Sequence, residues 1–480
     1  MLQLEPRSIW NFFHSITQTP RPSGKEAHIQ TYIDQFAADR GLKILKDDAG
    51  NRVIHKHASP GYDNLPGIIL QAHMDMVCEK NSDVLHDFEN DPIQTYLEGD
   101  WVRAKGTTLG ADNGIGMAYM LAILDDKTLQ HPQLECLFTA DEESGLTGAL
   151  ALSNTLLQGS TLINLDSEDD GEIYVGCAGG IGTKALFNIE YEPIPPGFFG
   201  FRVSASGLKG GHSGGDIHLG LANAIKLLGA YIGLLNEKMD VRIATLSGGN
   251  LHNAIPREAS ASIVVPYGEK ETIRVMLNIF LAEMQQKFRG IEPALAISLE
   301  SDTDVQTVWP KSLSNTIINI LNACPHGVIA MSRDIEGLVE TSTNLASVKI
   351  LNHGIIEINT SQRSSSELAK TEIAAQVKAV FSLAGAEVIQ SDGYPGWKPN
   401  LQSDILEKAT SAYEKLYGSK PAVKAIHAGL ECGLFLEKYP HLDMISIGPQ
   451  MCGVHSPDER LSISSTQKTY KWLLAFLASK

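Results

Sequence analysis

Residues 71–75, Gln-Ala-His-Met-Asp, follow the apolar run 67–70 and could place a metal-binding group at the end of a strand. His73 and Asp75 stand two positions apart, so on an extended strand both side chains point to the same face. One of them can bind a metal ion while the other orients it through a hydrogen bond. A single histidine at a strand end is more often a hydrogen-bonded polar group than a ligand, so this interpretation needs further ligands elsewhere in the chain.

Further histidine and acidic residues recur downstream, each at the end of an apolar run or in the turn after it. Together they give five candidate ligands: His73, Asp112, Glu143, Asp166 and His455. Two imidazoles and three carboxylates suit one or two divalent ions, zinc first, with manganese or cobalt bound by the same donors. Two ions about 3.5–4 Å apart would need a carboxylate between them and would share the water that acts as nucleophile. The sequence therefore predicts a hydrolytic metal centre.

Glu142 and Glu143 form an adjacent pair whose members could divide the work of such a centre. If the strand at 134–140 continues that far, neighbouring side chains point in opposite directions, so that Glu143 binds metal while Glu142 takes the proton of the water as general base. Simpler interpretations exist for single residues. Asp112 could be a turn residue or helix cap, the glutamate pair a solvated surface, and Asp166 part of an exposed acidic loop. Their joint occurrence after separate apolar runs favours the metal centre.

The first third of the chain alternates strand-like and helix-like segments. Extended apolar runs occur at residues 52–55, 67–72, 134–140 and 161–165. Helical spacing fills the intervals, and Ser23 with Glu26 has the spacing of a capping box before one helix. This alternation predicts an α/β domain in which helices cover both faces of a mixed sheet, with ligands bound at the strand ends.

A Pro-rich stretch at 191–197 predicts a domain edge. Segments then follow in the order β-α-β-β-α-β up to residue 300, and a similar series occupies about 300–390. The final part of the chain resumes the first pattern. We therefore expect a catalytic α/β domain in two segments, 1–186 and 392–480, interrupted at 187–391 by an inserted α+β domain of two βαββαβ-like units.

Charge and composition limit the partners of the protein. It has 39 basic and 56 acidic residues, a formal net charge of −17, which argues against nucleic acid or an anionic membrane as partner. The N-terminus shows no secretory signal, and no apolar stretch reaches the ~20 residues that a membrane span needs. Six scattered cysteines without a CxxC pair fit reduced thiols. We therefore expect a cytoplasmic protein.

Five short motifs resemble those of the M20 metallopeptidases, in particular the aminoacyl-histidine dipeptidases (Xaa-His dipeptidase, peptidase D, carnosinase-like). They are HMD at 73–75, GADNG at 110–114, DEESG at 141–145, NLDSE at 164–168 and GVHSPDE at 453–459. The resemblance covers nearly the whole chain and implies two zinc ions. It implies that one ion is held by His73 and Asp166, the other by Glu143 and His455, and that Asp112 bridges them.

The same resemblance implies roles for the remaining residues of the centre. Asp75 would lie behind His73 and fix its orientation. Glu142 would be the general base and would later hand its proton to the leaving amine. The peptide bond between Asp112 and Asn113 is expected to be cis.

The inserted domain resembles the lid of this family through residues 207–215, Gly-Leu-Lys-Gly-Gly-His-Ser-Gly-Gly. There His212 would stabilise the oxyanion of the tetrahedral intermediate. Asn253 and Arg363 would bind substrate, the arginine taking the free carboxylate of a peptide. Glu431 would face the cleft and meet a substrate amine. The simpler alternatives are a Gly-flanked turn for His212 and a surface salt bridge for Arg363.

The function implied by the resemblance is hydrolysis of short peptides, foremost Xaa-His dipeptides such as β-alanyl-histidine, by a water that Glu142 activates. An N-acyl-amino-acid deacylase or a tripeptide aminopeptidase would use the same metal motifs and is the alternative. A non-catalytic peptide-binding module should have lost Glu142 or a ligand, and all are present. A homodimer through the inserted domain is expected, although two lid units in one chain could supply what a second copy supplies in dimeric relatives.

Overall fold

The computed structural model describes residues 1–352 and 354–479, and the chain divides into two compact units. The first unit comprises Met1–Gly176, Trp397–Ala425 and the chain from Leu430 onward. The second comprises Cys177–Gly396 and the short segment Ile426–Gly429. The sequence prediction placed the insertion at 187–391, whereas the second unit begins at Cys177 and its main segment ends at Gly396.

The edge of the second unit precedes the Pro-rich stretch because of one strand. Gly179–Asn188 pairs along its whole length with Ile355–Ser364, so it belongs to the sheet of the second unit. The sequence prediction put most of this strand into the first domain, since it read the prolines that follow as the boundary. A turn rich in proline marked the end of a strand here and not the end of a domain.

An eight-stranded mixed sheet forms the centre of the first unit. Its strands, in spatial order, are Lys43–Lys46, Arg52–Lys56, Leu134–Thr139, Ile68–His73, Thr161–Asn164, Asp443–Ser446, Glu172–Cys177 and Ala422–Ile426. The strands that carry the candidate ligands are neighbours, and they are parallel. Because all six residues of Ile68–His73 are buried, both faces of the sheet are covered at this strand. The carboxyl ends of these parallel strands therefore meet at one edge, where the motifs lie.

The remaining elements of the first unit surround this sheet. Its helices are Arg7–Thr17, Ala27–Asp39, Ala111–Asp125, Glu142–Gly145, Thr147–Leu150, Asp404–Tyr417, Glu431–Lys438 and Ile463–Leu477. A small antiparallel sheet consists of Thr95–Glu98, Trp101–Ala104, Met451–Cys452 and Arg460–Ser462. The helix Ala111–Asp125 is buried from Ala111 to Leu124 and packs on the strand Ile68–His73, so its first turn is held firmly beside the end of that strand.

A nine-stranded sheet forms the second unit. Its strands, in spatial order, are Ala296–Ser301, Phe198–Ser206, Ala259–Pro266, Arg242–Gly248, Val339–Leu351, Ile355–Ser364, Gly179–Asn188 and Glu387–Gln390, with Gly327–Met331 paired beside Val339–Leu351. Its helices are Ala224–Asn236, Lys270–Lys287, Lys311–Ala323 and Glu367–Leu383, with single turns of 3-10 helix at Ile217–Leu219 and Tyr267–Glu269. Short two-residue strands pair Glu192–Pro193 with Thr307–Val308 and Gly211–His212 with Ala254–Ile255.

This order contains two βαββαβ units joined edge to edge. In each, the four strands lie in the spatial order fourth, first, third, second, and the two second strands, Arg242–Gly248 and Val339–Leu351, pair at the junction. The first strand of the second βαββαβ unit is Gly179–Asn188, which precedes every strand of the first βαββαβ unit in the chain. The predicted second unit lacked this strand, because it was expected to lie wholly within residues 300–390.

Two further observations concern the character of the chain. Among the described helices, none is long and apolar enough to cross a membrane. Cys78, Cys136, Cys324 and Cys452 form no disulfide bond.

Candidate metal centre

His73 ends its strand with a side chain that is only 1% exposed and is held by Asp75. Its Nδ1 lies 3.4 Å from Oδ1 of Asp75, and the other carboxylate oxygen accepts a hydrogen bond of 2.7 Å from the Ser23 hydroxyl. Burial raises the pKa of Asp75, but the hydrogen bonds from His73, the Glu142 backbone and Ser23 outweigh it and hold that pKa well below its usual range. Asp75 is thus a fixed negative charge behind the imidazole.

Asp112 divides its two carboxylate oxygens between two histidines. Oδ1 lies 2.9 Å from Nε2 of His73, and Oδ2 lies 3.1 Å from Nε2 of His455. The residue follows Gly110, whose φ of 69° makes the sharp turn into the helix. The peptide bond to Asn113 is cis, as the sequence resemblance implied.

The other two acidic candidates each join one of these histidines. Asp166 follows the strand Thr161–Asn164 and places Oδ1 3.3 Å from Nε2 of His73. Glu143 places Oε1 3.0 Å from Nε2 of His455. The structure therefore brings all five candidate ligands together in two groups of three that share Asp112, with the potential ligand atoms of each group within 4.8 Å of one another.

The electrostatics of this cluster suit divalent cations. Burial alone would lower the pKa of His73, but Asp166, Asp112 and Asp75 raise it well above its ordinary value. Hydrogen bonds to Asp112 and Glu143 raise the pKa of His455 to about 11. The neighbouring carboxylates therefore favour positive charge at both imidazoles, and a divalent ion can supply that charge in exchange for protons.

Glu142 lies beside the two groups without belonging to either. A ligand atom of Glu142 is within 4.8 Å of those of His73 and Glu143. Burial raises the pKa of Glu142 well above its ordinary value, and the carboxylates of Asp166 and Glu431 add to the rise while His73 opposes it. A carboxyl group with a raised pKa next to a metal centre has the character of a general base that can hold a proton.

A turn at Asp141 precedes both glutamates, so the expected continuation of the strand through Glu142 and Glu143 is wrong. Asp141 has a φ of 50°, after which Glu142–Gly145 forms one short helical turn. The backbone N–H groups of Glu142 and Glu143 point at Asp75, with hydrogen bonds of 3.0 and 3.1 Å to its two oxygens. The different positions of the two side chains therefore arise from this anchored turn.

Two buried charged residues that sequence reasoning missed hold the loops of the centre. Glu459 accepts the backbone N–H groups of residues 109–112 at 2.7–3.3 Å, and so fixes the turn that carries Asp112. Arg21 donates to the backbone carbonyls of Met74, Asp75 and Gly110. Glu459 stood within the last sequence motif, but Arg21 had no signal beyond a Pro-flanked position.

Glu431 does not face open space, contrary to the prediction that it meets a substrate amine. Its side chain is 1% exposed and accepts hydrogen bonds from Gln71 Nε2 at 2.6 Å and Thr139 Oγ1 at 2.9 Å. Burial raises the pKa of this carboxyl to about 8. The residue ties together the two parallel strands that carry the centre, so we assign it a supporting position and no surface for substrate.

His212 lies in the short strand Gly211–His212 of the second unit and is half-buried. Its Nδ1 accepts the backbone N–H groups of Gly214 at 3.3 Å and Gly215 at 3.0 Å. Burial and the positive charge of Arg363 lower its pKa, so the neutral ring carries its proton on Nε2. His212 therefore does lie in a Gly-flanked turn, and the turn fixes the tautomer of His212 that can donate a hydrogen bond from Nε2.

Asn253 lines a cavity of about 870 Å³ together with His212. Its backbone carbonyl accepts the N–H of Ser213 at 2.7 Å, which ties the two loops of this cavity together. The pair therefore lies in one place within the second unit, as a shared substrate-binding role would require.

Arg363 lies on the strand Ile355–Ser364 and is only 6% exposed. It lines a second cavity of about 410 Å³ within the same unit and donates from Nη1 to the hydroxyl of Tyr394 at 2.8 Å. Among residues 1–352 and 354–479, no carboxylate lies within ion-pair distance of it. The alternative of a surface salt bridge is therefore wrong.

Comparison with known proteins places this site in a family. The sequence pattern of the family described as Peptidase family M20/M25/M40 matches residues 69–479. The chain belongs to peptidase family M20. This M20 peptidase is 42% identical over 463 residues to the cytosol non-specific dipeptidase of Escherichia coli, which covers 96% of this chain and 95% of that protein.

Solved structures agree with the fold. The aminoacylhistidine dipeptidase of Vibrio alginolyticus matches this M20 peptidase with a TM-score of 0.92 and 42% identity, over 99% of this chain and 97% of that one. A tripeptidase of Staphylococcus aureus matches with a TM-score of 0.58 at 17% identity, over 99% of this chain and 98% of that one, and shares the fold alone. The protein is thus a metallopeptidase of family M20 and a homologue of dipeptidases, as the sequence motifs indicated.

Proposed function

We propose that this protein hydrolyses dipeptides, with Xaa-His dipeptides such as β-alanyl-histidine among its preferred substrates. The names of the two relatives at 42% identity support a dipeptidase, one being called a non-specific dipeptidase and the other an aminoacylhistidine dipeptidase. The observation that carries the proposal is the shared Asp112, whose two oxygens face His73 and His455 at 2.9 and 3.1 Å.

The donor set supports two divalent ions per chain. His73 with Asp166 would hold one, Glu143 with His455 the other, and Asp112 would bridge them. Imidazole and carboxylate donors favour zinc, and manganese or cobalt would bind the same atoms. When bound, such ions would polarise the scissile carbonyl and would lower the pKa of water, so that it can lose a proton and act as a nucleophile near neutral pH.

The side chains of the protein would then position the substrate and transfer the proton. Glu142 would take the proton of the attacking water and pass it to the leaving amine, while Asp75 holds His73 and the turn that carries Glu142. His212 would donate its Nε2–H to the oxyanion, and Asn253 and Arg363 would bind the substrate, the arginine at the free carboxylate.

A substrate panel on metal-reconstituted protein tests the proposal. Xaa-His dipeptides, other dipeptides, tripeptides and N-acetyl amino acids are assayed at equal concentration. We expect the dipeptides to be cleaved with the highest kcat/KM and Xaa-His members to rank near the top. Preference for tripeptides or for N-acetyl amino acids would overturn the dipeptidase assignment in favour of an aminopeptidase or a deacylase on the same residues.

Location and assembly are parts of the same proposal. A cytoplasmic location is supported by the name of the Escherichia coli relative, and six scattered cysteines without a CxxC pair fit reduced thiols. A homodimer through the inserted unit stays a prediction, which sedimentation of the purified chain tests directly.

A further inference from the structure

Arg363 is a buried cation at the centre of a row of three residues in register. Its strand neighbours directly opposite are Ser342 on one side and Gly180 on the other. Its Nε makes no hydrogen bond. Because the described residues offer it no carboxylate, and because an unpaired buried charge is costly, the arginine is suited to a ligand that brings negative charge.

Tyr394 holds one end of this guanidinium. The tyrosine hydroxyl accepts a hydrogen bond of 2.8 Å from Nη1 of Arg363. The ring lies against two glycines, since a Cβ placed on Gly180 or Gly429 would come within 2.7 or 2.9 Å of its ring atoms. A side chain at either glycine would push the ring away from the arginine.

The backbone of Tyr394 is fixed as firmly as its ring. Its N–H donates to the carbonyl of Gly180 at 2.9 Å, and its carbonyl accepts from the N–H of Gly180 at 3.0 Å. The same carbonyl accepts from the buried ammonium of Lys370 at 2.7 Å. The hydroxyl is therefore presented to Arg363 by a rigid support.

Ser342, the neighbour of Arg363 on the other strand, makes its hydrogen bond to a different residue. The hydroxyl of Ser342 is paired with Nε2 of His427 at 2.7 Å. Burial, together with the nearby charge of Arg363, lowers the pKa of His427 to about 3, so this histidine is neutral. Neither Ser342 nor His427 offsets the positive charge, and Tyr394 is left as the group that orients it.

We propose that Tyr394 is a positioning residue for Arg363: its hydroxyl holds Nη1, so that the remaining N–H groups are presented to the free carboxylate of a dipeptide. The proposal rests on the proposed function, in which Arg363 binds that carboxylate. An arginine gains more from a carboxylate when its planar fork is already immobilised, because less rotamer entropy is lost on binding.

Steady-state kinetics on a dipeptide and on its C-terminal amide test the proposal. The proteins are the wild type, Y394F, R363K and the double variant. We expect Y394F to raise KM for the dipeptide about tenfold, as for the loss of one hydrogen bond to a charged group, with little change in kcat. The preference for the free acid over the amide should shrink by a similar factor. In the R363K background, Y394F should add no further change, because the two residues act through one interaction.

A matched control is Y231F, which removes a buried tyrosine hydrogen bond of the same unit, 2.7 Å to the carbonyl of Ile273. The described hydrogen bonds of Arg363 do not include Tyr231. Y231F should leave KM and the acid-to-amide preference unchanged, and thermal unfolding shows whether both variants fold.

The outcomes separate the two proposals. A wild type that cleaves no dipeptide overturns the proposed function. A wild type that prefers free acids, an R363K that loses this preference and a Y394F that keeps it would overturn the inference about Tyr394 alone. A Y394F effect that is undiminished in the R363K background would also overturn it.

Discussion

The carboxylate of Asp75 accepts the backbone N–H of Glu142 at 3.0 Å, so the residue behind the first ligand also holds the general-base candidate. Its Oδ1, which receives this hydrogen bond, is the same atom that lies 3.4 Å from Nδ1 of His73. The buried carboxylate of Asp75 therefore links the end of the strand Ile68–His73 to the turn Glu142–Gly145, which follows the strand Leu134–Thr139. The proposed metal binding by His73 and the proposed proton transfer by Glu142 would therefore both depend on the side chain of Asp75.

Replacement of Asp75 by asparagine should impair both properties. Because both oxygens of Asp75 accept N–H or O–H donors, an amide would turn its NH₂ group against a donor. We expect a loss of about 10–100-fold in metal affinity or activity, measured by metal titration and by kcat/KM. The control Ser23→Ala removes only one of these donors and should have a small effect. Equal behaviour of the two variants would contradict the coupling.

Replacement of Glu142 by glutamine should separate catalysis from metal binding. The variant keeps the shape of the side chain but cannot accept the proton, so kcat should fall by about 10²–10⁴-fold while the metal content stays that of the wild type. Glu143→Gln is the matched comparison, because we expect it to lose metal. Metal analysis alongside kinetics distinguishes the two, and an active Glu142→Gln enzyme would refute the assignment of the base.

Glu459 should matter for stability as well as activity. Replacement by alanine removes the acceptor of four backbone N–H groups in the turn that carries Asp112. Leaving such groups unpaired should lower the free energy of unfolding by about 3 kcal/mol, measured by denaturant titration. The exposed neighbour Asp458 provides the control, since Asp458→Ala should change stability little. Similar small effects for both variants would contradict the proposed support.

The stability of the second unit should depend on pH through His326. Burial, reinforced by Lys226, lowers the pKa of this histidine from 6.5 to about 4. Between these values the unfolded chain binds a proton that the folded unit does not, so stability is complete above pH 6.5 and falls as the pH drops towards 4. The loss should reach about 3 kcal/mol, and His326→Gln should flatten the pH profile of unfolding, whereas replacement of the exposed His57 should not.

The sequence indicated the candidate ligands because each follows an apolar run, at the end of a buried strand or in a turn beside one. His73 and Asp166 illustrate this, since parallel strands bring their carboxyl ends to one edge of a sheet. The positions along the chain were therefore sufficient to predict which side chains meet. The runs at 52–55, 67–72, 134–140 and 161–165 lie within one residue of the observed strand ends.

Other residues act through partners far away in the chain, and no local pattern could identify them. Glu459 binds backbone groups about 350 positions earlier, and the strand Gly179–Asn188 finds its partner only at Ile355–Ser364. Ser23 had the spacing of a capping box, yet its hydroxyl donates to Asp75 and no side chain caps the helix that follows. Glu431 lies in a segment with His427, Gly429 and Gly433 that was typical of a site. Its burial comes from contacts with Gln71 and Thr139 on two strands that are distant in the chain.

Metal stoichiometry tests the two-ion centre most directly. The protein is stripped with a chelator, titrated with zinc, and assayed on a Xaa-His dipeptide at each point. We predict two ions per chain at saturation, no turnover in the stripped protein, and a parallel loss of stoichiometry and activity in Asp112→Ala, because that carboxylate faces both histidines. Full activity of the stripped protein, or two ions retained by Asp112→Ala, would contradict it.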